Sequence, residues 1–176
     1  MPPASNERNI RIALTGFMGV GKSSVARHLA QLLRYRRLDL DSLIENTDGR
    51  RIADIIDNDG EANYRTIETA CLRTALADPD CRILSLGGGT WTIETNRLLI
   101  KESGLTSVWL ESTFDHCWQN IRKSRKERPL ARNRETAQKL FEQRQKLYCL
   151  ADWHFIVRPE FTSFDIAKQI REQVFS

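Results

Sequence analysis

Apolar residues recur along the chain in short unbroken runs, separated by longer stretches with helical spacing. Residues 9–15 (NIRIALT) are apolar and β-branched and stop at Gly16, the pattern of a strand closed by a turn. Over residues 22–33, Val25, Ala26, Leu29, Leu32 and Leu33 fall at the spacing of a helix with one buried face. Residues 35–40 are short and strand-like, residues 41–76 are helical by pattern with breaks at Gly49 and Gly60, and residues 81–86 (CRILSL) form an apolar strand closed by three glycines. Further strands are predicted over 105–110 and 153–157, and helices over 113–123, 134–150 and 164–174. Four or five apolar strands separated by helices imply βα units around a buried parallel sheet. The expectation is an α/β fold of three layers, in a single domain over residues 1–176, without repeats or linkers.

Bulk composition leaves that picture unchanged. A chain of 176 residues can bury a real core, and 40% hydrophobic with 28% charged residues is ordinary for a globular protein. Twenty-seven basic against 23 acidic residues leave a charge of +4, too mild to point to a nucleic acid. The N-terminal MPPASNER has no apolar stretch suited to a signal peptide, and no apolar run approaches the roughly 18 residues of a membrane span. Cys71, Cys81, Cys117 and Cys149 are widely spaced with no CxxC pair, which predicts free thiols of a reducing cytoplasm rather than disulfides or a zinc site.

Candidate chemistry enters at residues 16–23, GFMGVGKS, which fit G-x-x-x-x-G-K-[ST] between a predicted strand and a predicted helix. Glycines let backbone N–H groups converge on phosphate oxygens, and the helix N-terminus adds positive potential. Gly19, Val20, Gly21, Lys22, Ser23 and Ser24 are therefore the expected nucleotide cradle, with Lys22 reaching the β- and γ-phosphates and the Ser23 hydroxyl on Mg²⁺. A GTPase reading has one support, the D-x-x-G of residues 57–60. That match follows a helix-spaced run, Ile52, Ile55 and Ile56, where a strand would be needed, and no N-K-x-D follows.

At the end of the second strand, RLDLD places Asp39 and Asp41 two apart, so both are expected to project from the strand end where ligands gather in open α/β sheets. One carboxylate could hold Mg²⁺ through its waters while the other accepts a hydrogen bond from an attacking hydroxyl; the alternative is that Asp41 caps the following helix. Arg65 and Glu68 lie three apart on one helical face, which taken alone reads as a surface ion pair. Gly87, Gly88 and Gly89 follow a buried strand directly and would let backbone approach a ligand closely.

The order GFMGVGKSS, D-L-D-S-L-I-E (39–45), GE-x-x-Y-R-x-x-E (60–68), LGGG (86–89), RPL (128–130) and R-x-x-L-Y-x-x-x-A (144–151) resembles shikimate kinase over about nine tenths of the chain. The resemblance implies a P-loop kinase fold like that of nucleoside monophosphate kinases, with a five-stranded parallel sheet, and transfer of the ATP γ-phosphoryl group to the 3-hydroxyl of shikimate. It implies that Lys22 and Ser23 serve ATP and Mg²⁺, that Asp39 acts through the metal's waters and that Asp41 holds the acceptor hydroxyls. Arg65 and Arg144 would grip the shikimate carboxylate, Gly88 and its neighbours would supply backbone contacts, and Glu68 would support the pocket. Arg128 would sit on a mobile lid, roughly residues 122–134. The family usually carries Phe where this chain has Tyr64, a swap expected to change little. Ala131 stands where a second leucine is common, and Lys146 where proline is frequent. The adenine-side arginine has no clear counterpart near residues 158–164.

Residues 121–134 hold seven Lys and Arg among fourteen residues. Only Arg128 is expected to meet phosphate. Arg122, Lys123, Arg125 and Lys126 read as solvated helix residues, Arg132 and Arg134 are undecided, and no aromatic residues interleave to suggest nucleic acid. The expected ligands are ATP with Mg²⁺ and shikimate, on a cytoplasmic monomer. The rival readings are a kinase of another small hydroxy acid such as gluconate, and a non-catalytic nucleotide-binding relative.

Overall fold

The computed structural model describes residues 9–176; the MPPASNER stretch, read as lacking a leader, lies outside the described residues. Five strands form one parallel sheet in the order β2-β3-β1-β4-β5: β1 (Arg11–Thr15), β2 (Arg36–Asp39), β3 (Cys81–Ser85), β4 (Leu105–Glu111) and β5 (Trp153–Ile156). Helix α1 (Lys22–Leu33) follows β1, and α2 (Leu40–Asp48), α3 (Ile52–Asp59) and α4 (Glu61–Ala77) lie between β2 and β3. A 3₁₀ turn (Thr90–Thr92) and α5 (Glu94–Glu102) precede β4; α6 (Phe114–Lys123), a second 3₁₀ turn (Pro129–Ala131) and α7 (Arg134–Tyr148) precede β5, and α8 (Ser163–Val174) closes the chain.

The central strand shows why the sheet is sandwiched. Ile12, Ala13, Leu14 and Thr15 are all fully buried, and successive side chains of a strand point to opposite faces, so both faces of β1 are covered. The breaks predicted at Gly49 and Gly60 are where α2 and α3 end, with both glycines at positive φ (85° and 86°). Residues 57–60 lie at the end of helix α3, so the D-x-x-G match is not the strand-borne motif of a GTPase. Helix α5 was absent from the pattern: only Asn96 and Ile100 are buried on it, too few to show a period.

Because the strands are parallel, the C-terminal ends of β1, β2 and β3 open on one edge and deliver their following loops together. Among the described residues no helix is long and apolar enough to cross a membrane, and all four cysteines are free.

The core predicts its own energetics. Ile12→Ala, at a fully buried position on the central strand, is expected to lose about 2–5 kcal/mol of stability. Ile156→Ala, 55% exposed on the edge strand, should lose less than about 0.5 kcal/mol. Urea unfolding of the two variants checks the contrast, and equal losses would contradict this assignment of the core.

Candidate active site

The loop between β1 and α1 turns at Gly19, whose φ of 83° suits glycine and whose absent Cβ would lie 2.5 Å from the Cys117 carbonyl. Asn120 of α6 donates to the Gly19 carbonyl at 2.8 Å, tying the loop to the helix that precedes the basic stretch. Lys22 opens α1, and its Nζ donates to the carbonyls of Gly16 (2.7 Å) and Phe17 (3.2 Å). Burial and the nearby Arg128 guanidinium lower the Lys22 pKa to about 7. Ser24 lines the same cavity as Lys22 and Ser23. Val20 differs: its side chain is buried, and its N–H donates to the Phe17 carbonyl, so the turn itself uses that donor.

Beside this loop, Ser23 Oγ donates to Asp39 Oδ2 at 2.6 Å. Ser85 Oγ reaches the same oxygen at 3.0 Å, and the Ser42 N–H donates to Asp39 Oδ1 at 3.0 Å. Desolvation works against the Asp39 charge, but these donors outweigh it and hold the carboxyl below its usual pKa. Here the strand-based expectation needs correcting. Asp39 ends β2 and is itself the N-cap of α2, whereas Asp41 lies in the first turn of that helix. The chain turns helical at Leu40, so the two-residue strand period does not extend to Asp41. Both carboxylates still line the phosphate cavity.

A second cavity opens against the first. It is lined by Tyr64, Arg65, Gly88, Gly89 and Arg144, among others, and the two cavities share Met18, Asp41, Gly88, Lys126 and Arg128. Arg65 donates to Glu68 Oε1 at 2.9 Å, and Glu68 is fully buried, so this is no surface pair. Burial pulls the Arg65 pKa down, but the Glu68 charge and hydrogen bond outweigh it and leave it raised. Arg144 is only 6% exposed; burial lowers its pKa, and its Nη1 has no hydrogen-bond partner. Its neighbour is the Tyr148 hydroxyl, which in turn donates to the Gly88 carbonyl.

The triple glycine makes room for these groups. A Cβ on Gly89 would lie 2.3 Å from Arg65 Nη2, one on Gly88 3.1 Å from Arg144 Nη1, and one on Gly87 2.8 Å from Asp41 Oδ1. Sequence order alone does not reveal that each glycine accommodates a different functional side chain.

The basic stretch divides differently from its sequence reading. Arg122 and Lys123 end α6 and are exposed, while Arg125 and Lys126 lie beyond the helix. Lys126 is not a solvated helix residue: its Nζ meets Asp41 Oδ2 at 2.7 Å across 85 positions of sequence. Nothing in its spacing could have signalled this long-range contact. Arg128 sits where the cavities meet, its Nε buried without a partner and its pKa lowered by burial. Arg132 pairs with Asp57 of α3 at 2.8 Å, and Arg134 with Asp115 of α6 at 2.6 Å.

Similarity to known proteins agrees with this geometry. The family model described as shikimate kinase matches residues 18–175. The chain is 41% identical to the shikimate kinase of Streptococcus thermophilus, over 77% of this chain and 82% of that one. It is 38% identical to that of Cereibacter sphaeroides, over 92% and 80% of the two chains. The solved structure of shikimate kinase from Acinetobacter baumannii in complex with shikimate superposes with a TM-score of 0.86 at 30% identity, covering 96% of this chain and 94% of that one.

Two predictions come from the site. Gly89→Ala keeps an accessible backbone conformation (φ −105°) but pushes on the Arg65 guanidinium, so the KM for an anionic acceptor should rise at least about tenfold while the thermal midpoint changes little. A large drop in the midpoint with unchanged KM would contradict that account. The second concerns protons. With a pKa near 7, Lys22 is charged below that pH and neutral above it in the empty protein. Bound phosphates favour the ammonium, so nucleotide binding at pH 8 should take up protons, and affinity should fall as pH rises from 7 to 9. Calorimetry in buffers of different ionisation enthalpy reads the uptake directly, and identical heats in all of them would count against it.

Proposed function

The chain belongs to the shikimate kinase family, and we propose that it transfers the γ-phosphoryl group of ATP to the 3-hydroxyl of shikimate, giving 3-phosphoshikimate and ADP. One observation carries the reading. Asp41 Oδ1, Arg128 Nε and Arg144 Nη1 are buried without hydrogen-bond partners, and all three residues line the acceptor cavity. A buried polar atom left unpaired costs about 1–3 kcal/mol, so three of them converging on one space suit a polar ligand there. Its outline is an anion opposite Arg144, a hydroxyl opposite Asp41, and phosphoryl oxygens opposite Arg128.

In this reading Arg65 and Arg144 grip the carboxylate of shikimate, since planar guanidinium groups suit a carboxylate's two oxygens. The backbone of Gly87, Gly88 and Gly89 flanks the acceptor, and Glu68 holds Arg65. Asp41 accepts a hydrogen bond from the 3-hydroxyl and aims its oxygen at the γ-phosphorus. As the new O–P bond forms, the bond to the β-phosphate oxygen breaks, ADP departs with that electron pair, and the hydroxyl proton is released past Asp41. The transition state is loose, so positioning and charge neutralisation dominate, and Asp41 has more work as an orienter than as a strong base. Lys22, the N–H groups around Gly19 and Gly21, and Arg128 neutralise the phosphates, while residues 122–134 act as a lid that excludes water.

Ser23 Oγ and Asp39 Oδ2, two hard oxygen donors 2.6 Å apart beside the cradle, fit Mg²⁺, which keeps most of its ligands as water and phosphate oxygens. The ion would supply charge neutralisation on the β- and γ-phosphates. Four free thiols support a cytoplasmic setting, and the mild net charge of +4 argues against a nucleic-acid partner.

Gluconate also carries a carboxylate for the two arginines, so the preference for shikimate rests on the family match. With MgATP, a coupled ADP-release assay should show turnover of shikimate and none of gluconate; turnover of gluconate alone would reverse the choice. No turnover with either, despite ATP binding, would favour a non-catalytic relative. Arg144→Ala should weaken shikimate binding by about 1.5–3 kcal/mol and leave ATP affinity nearly unchanged, because Arg144 lines the acceptor cavity and not the phosphate cavity. Equal losses for both ligands would refute its assignment.

A further inference from the structure

Glu68 is fully buried, and its carboxylate is held by three side chains. Oε1 accepts from Arg65 Nη1 at 2.9 Å. Oε2 accepts from two hydroxyls on different elements: Tyr64 of α4 at 3.1 Å and Thr90 of the 3₁₀ turn after the triple glycine at 2.8 Å. Thr90 is fully buried as well, and Asn96 Nδ2 bonds its carbonyl at 3.0 Å, which fixes the turn. Tyr64 is 5% exposed and its ring lines the acceptor cavity. The phenolic hydroxyl thus makes a hydrogen bond that a phenylalanine at this position could not.

The terminal torsion of a glutamate is broad, so one hydrogen bond to one oxygen fixes the carboxylate plane poorly. Two hydroxyls converging on Oε2 from two elements define that plane. The plane then sets the direction in which Oε1 meets the Arg65 guanidinium. Burial and the Glu68 charge raise the Tyr64 pKa, so its hydroxyl stays protonated and remains a donor throughout the working pH range.

We propose that Tyr64 is a positioning residue for the acceptor: its hydroxyl, with that of Thr90, locks Glu68 so that Arg65 is presented to the acceptor carboxylate in one orientation. The proposal rests on the reading of Arg65 as an acceptor-binding residue. The restraint acts on acceptor binding in the ground state and the transition state alike, so its loss should raise KM and spare kcat. None of Tyr64, Glu68 and Thr90 lines the phosphate cavity.

The test is steady-state kinetics, with thermal midpoints, on the full chain carrying Tyr64→Phe, Thr90→Val, Thr90→Ser and the pair Tyr64→Phe with Thr90→Val. Tyr64→Phe keeps the ring and should raise the shikimate KM about fivefold, with kcat and the ATP KM within about twofold. Thr90→Val should act similarly, whereas Thr90→Ser, which retains a hydroxyl, should stay near the parent. The double variant should exceed the product of the two single effects, since it alone leaves Oε2 buried without a donor. An unchanged shikimate KM in Tyr64→Phe, an equal rise in the ATP KM, or a fall in thermal midpoint without a KM effect would each overturn the proposal. If Thr90→Val fails to fold, Tyr64→Phe and Thr90→Ser still decide it. Absence of shikimate turnover by the parent chain is a separate result, which would overturn the acceptor reading first and this inference with it.

Discussion

A guanidinium group at Arg144 lies at 6% exposure with an unpaired Nη1, and the acceptor cavity is arranged around that incompletely satisfied cation. Removing a charge from water costs several kcal/mol unless something opposite in sign meets it. Arg65, a short distance away, has Glu68 for that purpose, and the difference shows in the pKa directions: Arg65 is raised overall and Arg144 is lowered. The pair therefore presents one satisfied cation and one unsatisfied one to the same cavity. That deficit is built into the folded protein.

The rest of the architecture makes that deficit possible. A parallel sheet brings the ends of β1, β2 and β3 to one edge, so the phosphate loop, the Asp39–Asp41 turn and the triple glycine meet although 70 residues separate them. The glycines then act by what they lack, since each missing Cβ leaves the space that Asp41, Arg144 or Arg65 occupies. Asp41 and Arg128 sit where the two cavities join, which is where a hydroxyl and a terminal phosphorus have to meet.

The segment after α6 is attached lightly. Lys126 to Asp41, Glu127 to Arg51 and Arg132 to Asp57 link it to α2 and to the start and end of α3, and the side chains involved are mostly well exposed. Exposed pairs contribute about 0–1 kcal/mol each, so these ties hold the segment less firmly than the burial of Ala131 does. This also resolves the dense run of basic residues. Its members are divided among helix-end solvation, ties across the cleft and one buried guanidinium, so the density reflects several local tasks rather than a polyanion surface.

Periodicity and punctuation determined a great deal unaided. The alternation of apolar runs with helical spacing gave the layered sheet, glycines marked the ends of α2 and α3, and the G-x-x-x-x-G-K-S spacing located the phosphate loop, because these features act over a few residues and leave local marks. The order of blocks along the chain proposed the acceptor arginines, whereas the residue-by-residue reading extended the strand period to Asp41 and took Lys126 for a solvated helix residue, and neither gave the Tyr64 hydroxyl a task. Each of those depends on a partner distant in sequence or on the turn at which a strand becomes a helix: Lys126 on Asp41, Tyr64 and Thr90 on a shared oxygen of Glu68. Spacing encodes which side of an element a residue faces, whereas the partner it meets there is set only when the elements pack, and that was left to the tertiary structure.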